Sequence, residues 1–336
     1  MEYRRLGRSG LKVSELCLGT MTFGHGTDET TARRMVDRCL DAGVNFFDTA
    51  DSYGNGQSET MLGKALTGNR GQAVVATKFF NPMGNGVNDS GMSRVHIMHA
   101  IEESLRRLST DWVDIFYIHH VDVETPLEEM LHALDDLVRQ GKIRYPACSN
   151  YEAWRLAKAL GISDREKLSR FVCYQPQYSL VVRDIEQELV PLCIEEGLGI
   201  VPWSPLAGGF LAGKYAPGVH EVSGSRSEEG WNFPTDYFAP NADEILDTLL
   251  TSARELGCSA AELALRWISN RPAVSSVIFG ARTTEHLESN LRAAELAVPK
   301  EIESALEAVS RPRLHYPRSL ERLMVERRKN AISTRS

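Results

Sequence analysis

The sequence predicts a closed (β/α)8 barrel of the TIM type, an α/β fold, and three observations carry that expectation. Short apolar runs alternate almost without interruption with amphipathic stretches, the pattern of repeated βα units on a parallel sheet. The runs number eight, the strand count at which such a sheet closes on itself. No G-x-G-x-x-G follows any early run, so the doubly wound dinucleotide fold lacks its fingerprint. A chain of 336 residues is an ordinary length for one such barrel.

Ahead of the first unit, Tyr3–Leu6 and Leu11–Val13 flank the turn Gly7-Arg8-Ser9-Gly10 and read as a hairpin closing the barrel floor. Strands are expected at Leu16–Gly19, Val44–Thr49, Ala73–Lys78, Val113–His119, Ile143–Ser149, Phe171–Gln175, Gly199–Trp203 and Ser276–Gly280. Helical patterns lie near residues 28–42, 57–67, 94–108, 126–140, 151–160, 184–196, 242–256 and 284–296. The fourth is the most fully specified, with Thr125 as N-cap, Pro126 at the first helical position, Glu128 completing a capping box and Gly141 as the stop. The sixth carries Pro191 in its interior, which predicts a kink.

Between the seventh strand and its helix, a long loop runs from about Tyr215 to Pro240. It is rich in Gly, Ser and Pro and holds Trp231, Phe233, Tyr237 and Phe238, a composition that suits a lid. Residues 1–310 are therefore expected to form one barrel domain. Residues 311–336 form a C-terminal tail whose Arg311, Arg313, Arg318, Arg322, Arg327, Arg328 and Lys329 suit a solvated or interface segment.

Composition narrows the function. No run approaches the eighteen or so apolar residues a membrane span needs, and the first residues lack the apolar core of a secretory signal, so a cytoplasmic protein is expected. A net charge of −7 argues against a nucleic-acid partner. The cysteines are scattered singly without zinc-ligand spacing, so no metal is expected and free buried thiols are.

In this fold the active site lies at the C-terminal ends of the strands. There the second strand leads through Asp48 to Tyr53, the third ends at Lys78 and the fourth at His119. These four form a coherent acid: the carboxylate holds the ammonium, the ammonium lowers the phenol pKa, and the imidazole orients a substrate oxygen. His120 should face away from His119 by strand alternation and serve packing or surface. A metal-dependent hydrolase using Asp51, Asp122, His119 and His120 would want a His-x-His on the first strand, where the chain has Leu16-Cys17-Leu18-Gly19-Thr20.

FFDTADSYG, VATKF and DIFYIHHVD resemble the segments that carry the catalytic Asp, Tyr, Lys and His of the aldo-keto reductase family, including its branch close to potassium-channel beta subunits. The resemblance runs from Tyr3 to about Leu296. It implies reduction of a small-molecule aldehyde or ketone to the alcohol with NADPH, and Asp48, Tyr53, Lys78 and His119 as the catalytic set. It further implies that Ser149, Asn150 and Gln175 hold the carboxamide and that Trp203 stacks on the nicotinamide. Ser204, Pro205, Leu206, Gly208 and Lys214 would follow as cofactor contacts, and Gly280, Arg282, His286 and Asn290 would hold the adenosine end. Arg282, beside Thr283, would read a 2′-phosphate.

The chain departs from the family pattern at Tyr145-Pro146-Ala147-Cys148 before Ser149, at His286 and at Ser289. Trp231 and Tyr237 suit an apolar or aromatic carbonyl compound, and sugar-derived aldehydes stay open. The same resemblance admits a second class of function, a cofactor-binding auxiliary subunit with little turnover. Substrate and oligomeric state are not legible.

Overall fold

A hairpin of β1 (Tyr3–Arg5) and β2 (Lys12–Ser14) precedes a parallel sheet of eight strands. A computed structural model describes residues 1–218 and 238–333; most of the expected lid, with Trp231, Phe233 and Tyr237, lies outside the described residues. The eight strands are β3 (Leu16–Gly19), β4 (Phe46–Asp48), β5 (Val74–Phe79), β6 (Val113–Ile118), β7 (Ile143–Ser149), β8 (Cys173–Gln175), β9 (Gly199–Ile200) and β10 (Val277–Gly280). They pair in the order β10-β3-β4-β5-β6-β7-β8-β9. Backbone bonds join the two ends: the Ser275 N–H donates to the Ile200 carbonyl at 2.9 Å and the Ile278 N–H to the Pro202 carbonyl at 3.0 Å. The sheet is thus a closed barrel, as the alternation of apolar and amphipathic segments implies.

Helices α1 (Glu29–Asp41), α2 (Gln57–Ala65), α3 (Arg94–Leu108), α4 (Leu127–Arg139), α5 (Ala153–Glu166) and α6 (Leu189–Glu196) follow β3 to β8 in turn. Among the described residues between β9 and β10 lie α7 (Ala242–Leu256) and α8 (Ala260–Ser269), and after β10 come α9 (Thr284–Arg292), α10 (Lys300–Ser310) and α11 (Arg318–Ser333). The sequence pattern at 242–256 is therefore an added helix, and α8, which precedes β10 directly, was missed. Its signal is local: the Ser259 side chain accepts from the Glu262 N–H at 3.1 Å, the start of a Ser-x-x-Glu helix. The C-terminal tail contains α11.

Two further expectations need correction. Pro126 is the N-cap residue of α4 rather than its first helical residue, and Thr125 does not cap it: its hydroxyl donates to Asp122 Oδ2 at 2.7 Å. Pro191 is the third residue of α6, inside the first turn, where a backbone donor has no intrahelical partner to lose, so no kink is required.

Strand parity divides the core in two. Outward residues such as Leu16, Leu18, Phe47, Val75 and Phe116 pack under the helices, while Cys17, Phe46, Ala76, Ile115, Ala147 and Val201 fill the barrel. Leu6 and Val13, fully buried, plug the barrel from the hairpin side. The hairpin turn needs Gly7: its φ is +57°, and a Cβ there would stand 2.6 Å from the carbonyl oxygens of Val172 and Gly197.

Pro146 sits inside β7 without costing it a ladder hydrogen bond. It pairs with Phe116 of β6, and its carbonyl accepts from Val172 at 3.2 Å, so its missing N–H falls on the side of β8. There the ladder begins only at Cys148↔Tyr174. All six cysteines are unpaired, five of them buried.

Candidate active site

The parity that packs the barrel interior also aims the last inward residue of each strand at its C-terminal mouth. β4 ends on Asp48, β5 carries Lys78 two residues above Ala76, and β7 and β8 end on the paired residues Ser149 and Gln175. Asp48 and Lys78 are both buried, the lysine completely. Tyr53 arrives from the turn after β4. That turn is held by the Asp51 N–H donating to the Lys78 carbonyl at 3.1 Å and by Ser58 Oγ bonded to Thr20 and Thr49.

Lys78 Nζ is the hub. It contacts Asp48 Oδ1, donates to the Thr49 carbonyl at 2.8 Å and donates to Tyr53 OH at 3.2 Å. The other oxygen of Asp48 accepts from Gln175 Nε2 at 2.8 Å, so the carboxylate is anchored from two strands. Burial opposes the charged lysine, but Asp48 and Tyr53 outweigh it and hold the ammonium above its ordinary pKa. The phenol departs from the expectation. Burial raises the pKa of Tyr53 by more than Lys78 lowers it, so the net shift is upward.

His119 stands edge-on to Tyr53, with ring centroids 5.8 Å apart. Burial, then the charge of Lys78, then His120 push its pKa well below the usual value, so it is neutral at pH 7. His120 does not face away: the two imidazoles stack at 4.5 Å with 10° between planes. β6 ends at Ile118, so strand alternation does not extend to these two residues. Asn81, which the sequence reading did not single out, places its amide nitrogen 3.1 Å from Ser52 Oγ and 3.4 Å from His119 Nδ1.

The residues expected around a nicotinamide form a second arc of the mouth. Ser149 Oγ donates to the Gln175 carbonyl at 2.6 Å, Asn150 Nδ2 donates to the His119 carbonyl at 3.0 Å, and Trp203 Nε1 donates to Asn150 Oδ1 at 3.1 Å. The chain then turns sharply. Ser204, Ala207, Gly208 and Gly209 all have left-handed φ, and Ser204 Oγ accepts from the Gly208 N–H at 3.0 Å. Pro205 is buried and Leu206 half-buried within this turn, and Lys214 is exposed beyond it.

At the far end, Gly280 ends β10 and Asn290, buried in α9, donates to its carbonyl at 3.1 Å. Thr283 caps α9, accepting from the exposed His286 at 3.2 Å. Ser289 turns away from this end and donates to Glu262 of α8 at 3.0 Å. The N–H groups of Ala207, Gly208 and Gly209 are bonded within the turn at 204–209, whereas Arg282, Lys214 and the N-terminus of α9 have the chemistry a phosphate requires. These features fit a dinucleotide.

Two acidic residues weighed as metal ligands are otherwise engaged or isolated. Asp122 accepts from the N–H groups of Met92, Glu124 and Thr125. Asp51 is buried with no hydrogen-bond partner on either oxygen, and burial followed by the charge of Glu59 raises its pKa to about 8. Among the described residues no group of three His, Cys, Asp or Glu is arranged to hold a metal ion, and no helix is long and apolar enough to cross a membrane.

The profile of the Aldo/keto reductase family matches residues 15–311. An uncharacterized oxidoreductase of Bacillus subtilis, YrpG, is 40% identical over 319 residues, covering 90% of this chain and 94% of that protein. A probable voltage-gated potassium channel subunit beta of rice, Oryza sativa subsp. japonica, is 38% identical over 317 residues, covering 92% and 96%. The versiconal hemiacetal acetate reductase of Aspergillus parasiticus is 31% identical over 344 residues, covering 94% and 99%.

Proposed function

The chain belongs to the aldo/keto reductase family and is an oxidoreductase; from that premise we propose that it reduces aldehydes or ketones to alcohols with NADPH, Tyr53 delivering the proton. One observation carries the reading: a fully buried ammonium, Lys78, lies within hydrogen-bond reach of both a carboxylate and the Tyr53 hydroxyl. A bound dihydronicotinamide would supply the hydride to the carbonyl carbon. Tyr53 would donate its proton to the carbonyl oxygen as negative charge develops there.

In the resting site burial keeps that proton on the phenol. Lys78 stabilises the phenolate left behind, and Asp48 keeps the lysine charged and in place. Neutral His119 can share a hydrogen bond with the substrate oxygen without adding a second cation beside Lys78. Ser149, Asn150 and Gln175 would hold the carboxamide, with Gln175 offering Oε1 because its amide nitrogen is bonded to Asp48. Trp203 would lie against the ring, with Ser204, Pro205, Leu206, Gly208 and Lys214 along the pyrophosphate. Gly280, Arg282, His286 and Asn290 would bind the adenosine end, and Arg282 supports the choice of the phosphorylated cofactor.

The test is steady-state loss of NADPH absorbance with a panel of apolar, aromatic and sugar-derived aldehydes, repeated with Tyr53→Phe. Multiple turnovers in wild type, lost in the variant, support the reading. The similarity to channel subunits frames the other outcome: bound cofactor without repeated turnover would indicate an auxiliary role.

A further inference from the structure

We propose that Asn81 is a positioning residue that sets the tautomer of His119, leaving its proton on Nε2. The inference rests on His119 serving the reaction proposed above. Asn81 sits three residues past Lys78, just beyond the end of β5, and its side-chain NH2 lies between two acceptors, Ser52 Oγ at 3.1 Å and His119 Nδ1 at 3.4 Å. An amide NH2 has two hydrogens, one for each. A ring nitrogen that accepts a hydrogen bond carries no proton, so a neutral imidazole held this way is protonated on Nε2.

The ring has little freedom to escape the arrangement. His120 stacks on one side at 4.5 Å, Tyr53 approaches edge-on at 5.8 Å, and Asn150 holds the His119 backbone carbonyl at 3.0 Å. Stacking fixes the plane of the imidazole but does not distinguish its nitrogens; Asn81 does. The titratable groups facing the ring are Tyr53 from the turn after β4, Lys78 from β5 and neighbouring His120. None of them supplies a hydrogen bond to Nδ1. Lys78 and burial keep the ring neutral, which makes the tautomer decide whether His119 can donate to a carbonyl oxygen at all.

The opposite orientation of the amide would turn Oδ1 to the ring, require a proton on Nδ1 and leave Nε2 as an acceptor, unable to donate to the substrate. Asn81→Asp imposes that chemistry with nearly the same shape. A carboxylate can only accept, so it favours Nδ1–H in the neutral ring and raises the His119 pKa. Below the raised pKa the imidazolium still donates from Nε2; above it the neutral ring does not.

The experiment has two arms. Long-range ¹⁵N–¹H correlation spectra of ¹⁵N-histidine-labelled protein, with the His119 signals assigned by their loss in His119→Gln, should show Nδ1 unprotonated and Nε2 protonated near pH 7. A protonated Nδ1 in wild type overturns the proposal, and this arm needs no turnover, so it stands apart from the reductase reading. In kinetics, Asn81→Asp should leave NADPH affinity unchanged. It should lower kcat/KM at pH 8 by about tenfold, the size of one transition-state hydrogen bond, and regain it towards pH 5.5. Asn81→Ala should lose a similar factor without the pH-dependent recovery. A flat profile at the wild-type rate in Asn81→Asp overturns the proposal. Absence of carbonyl turnover in wild type overturns the reductase reading and leaves the spectroscopic arm to decide the tautomer.

Discussion

Lys78→Met removes a cation that no water reaches. The ammonium is completely buried and serves Asp48, the Thr49 carbonyl and the Tyr53 hydroxyl at once. Methionine fills nearly the same volume, so the loss is electrostatic rather than a cavity. What remains is Asp48 with a single hydrogen bond, from Gln175 Nε2 at 2.8 Å. Breaking a buried pair from one side costs about 3–5 kcal/mol. For 336 residues the unfolding entropy is roughly 0.7 kcal/mol/K, so Tm should fall by about 4–7 °C.

The loss has a direction in pH. Burial already lifts the folded-state pKa of Asp48 above its unfolded value of about 3.9 against the opposing charge of Lys78, and without the ammonium it lifts it further. The native state then holds a proton that the unfolded chain has released, and stability falls as pH rises through that interval. The deficit against wild type should therefore be larger at pH 8 than at pH 5, and Asp48→Asn in the same chain should restore much of it. Thermal melts of wild type, Lys78→Met, Asp48→Asn and the double variant at both pH values measure this cycle, and NADPH turnover of Lys78→Met should be lower than wild type by ~10²-fold or more. A Tm within a degree of wild type at pH 8, or an unchanged rate and pH profile, would refute the assignment of Lys78 as the hub.

Three further outcomes are expected. Tyr53→Phe should keep cofactor binding and lose carbonyl reduction by on the order of 10²-fold or more; near-normal kcat would remove Tyr53 as the acid. Arg282→Ala should weaken NADPH by about ten- to a hundredfold, from charge-assisted hydrogen bonds worth roughly 1.5–3 kcal/mol, and leave NADH nearly unchanged. Equal weakening in titrations of both cofactors would mean that Arg282 does not read the 2′-phosphate. Asp51 has a folded pKa raised to about 8, so wild-type stability should decline as pH climbs from about 4 to that value. Asp51→Asn stays neutral and should melt higher than wild type at pH 9 with little difference at pH 5; the same offset at both would contradict a buried, protonated carboxyl.

The barrel was legible because its signals are periodic and redundant. β3 and β7 begin and end where the apolar runs do, and the places of Asp48 and Lys78 at strand ends, and of His119 one residue past β6, follow from where those runs stop. What was not legible depends on partners distant in sequence. The two-residue β9 is expected to be longer because Val201 and Trp203 are apolar, yet Pro202 lacks the donor a ladder needs. α8 was missed although Ser259 and Glu262 announce its start, because 242–256 already supplied a plausible crossover helix. His120 was assigned by an alternation that ends with β6 at Ile118. The net upward shift of Tyr53 needs the depth of the site, which strand ends alone do not give.

Stability alone does not account for the polar cluster at the barrel mouth. Directly below it the interior is apolar, with Phe46, Ala76 and Ile115 on the strands that carry or neighbour Asp48 and Lys78. Continuing that packing upward would fill the same volume without desolvating two charges, and buried ion pairs replaced by well-packed apolar residues commonly leave a fold as stable or more so. Asp48 and Lys78 are instead buried together, each with a further hydrogen bond that holds it in register, Gln175 for the carboxylate and the Thr49 carbonyl for the ammonium. The contact left over from that mutual satisfaction is the one from Lys78 to the hydroxyl of Tyr53. A cluster organised so that its remaining hydrogen bond falls on a phenol is understood more readily as a device for moving a proton than as a brace for the barrel.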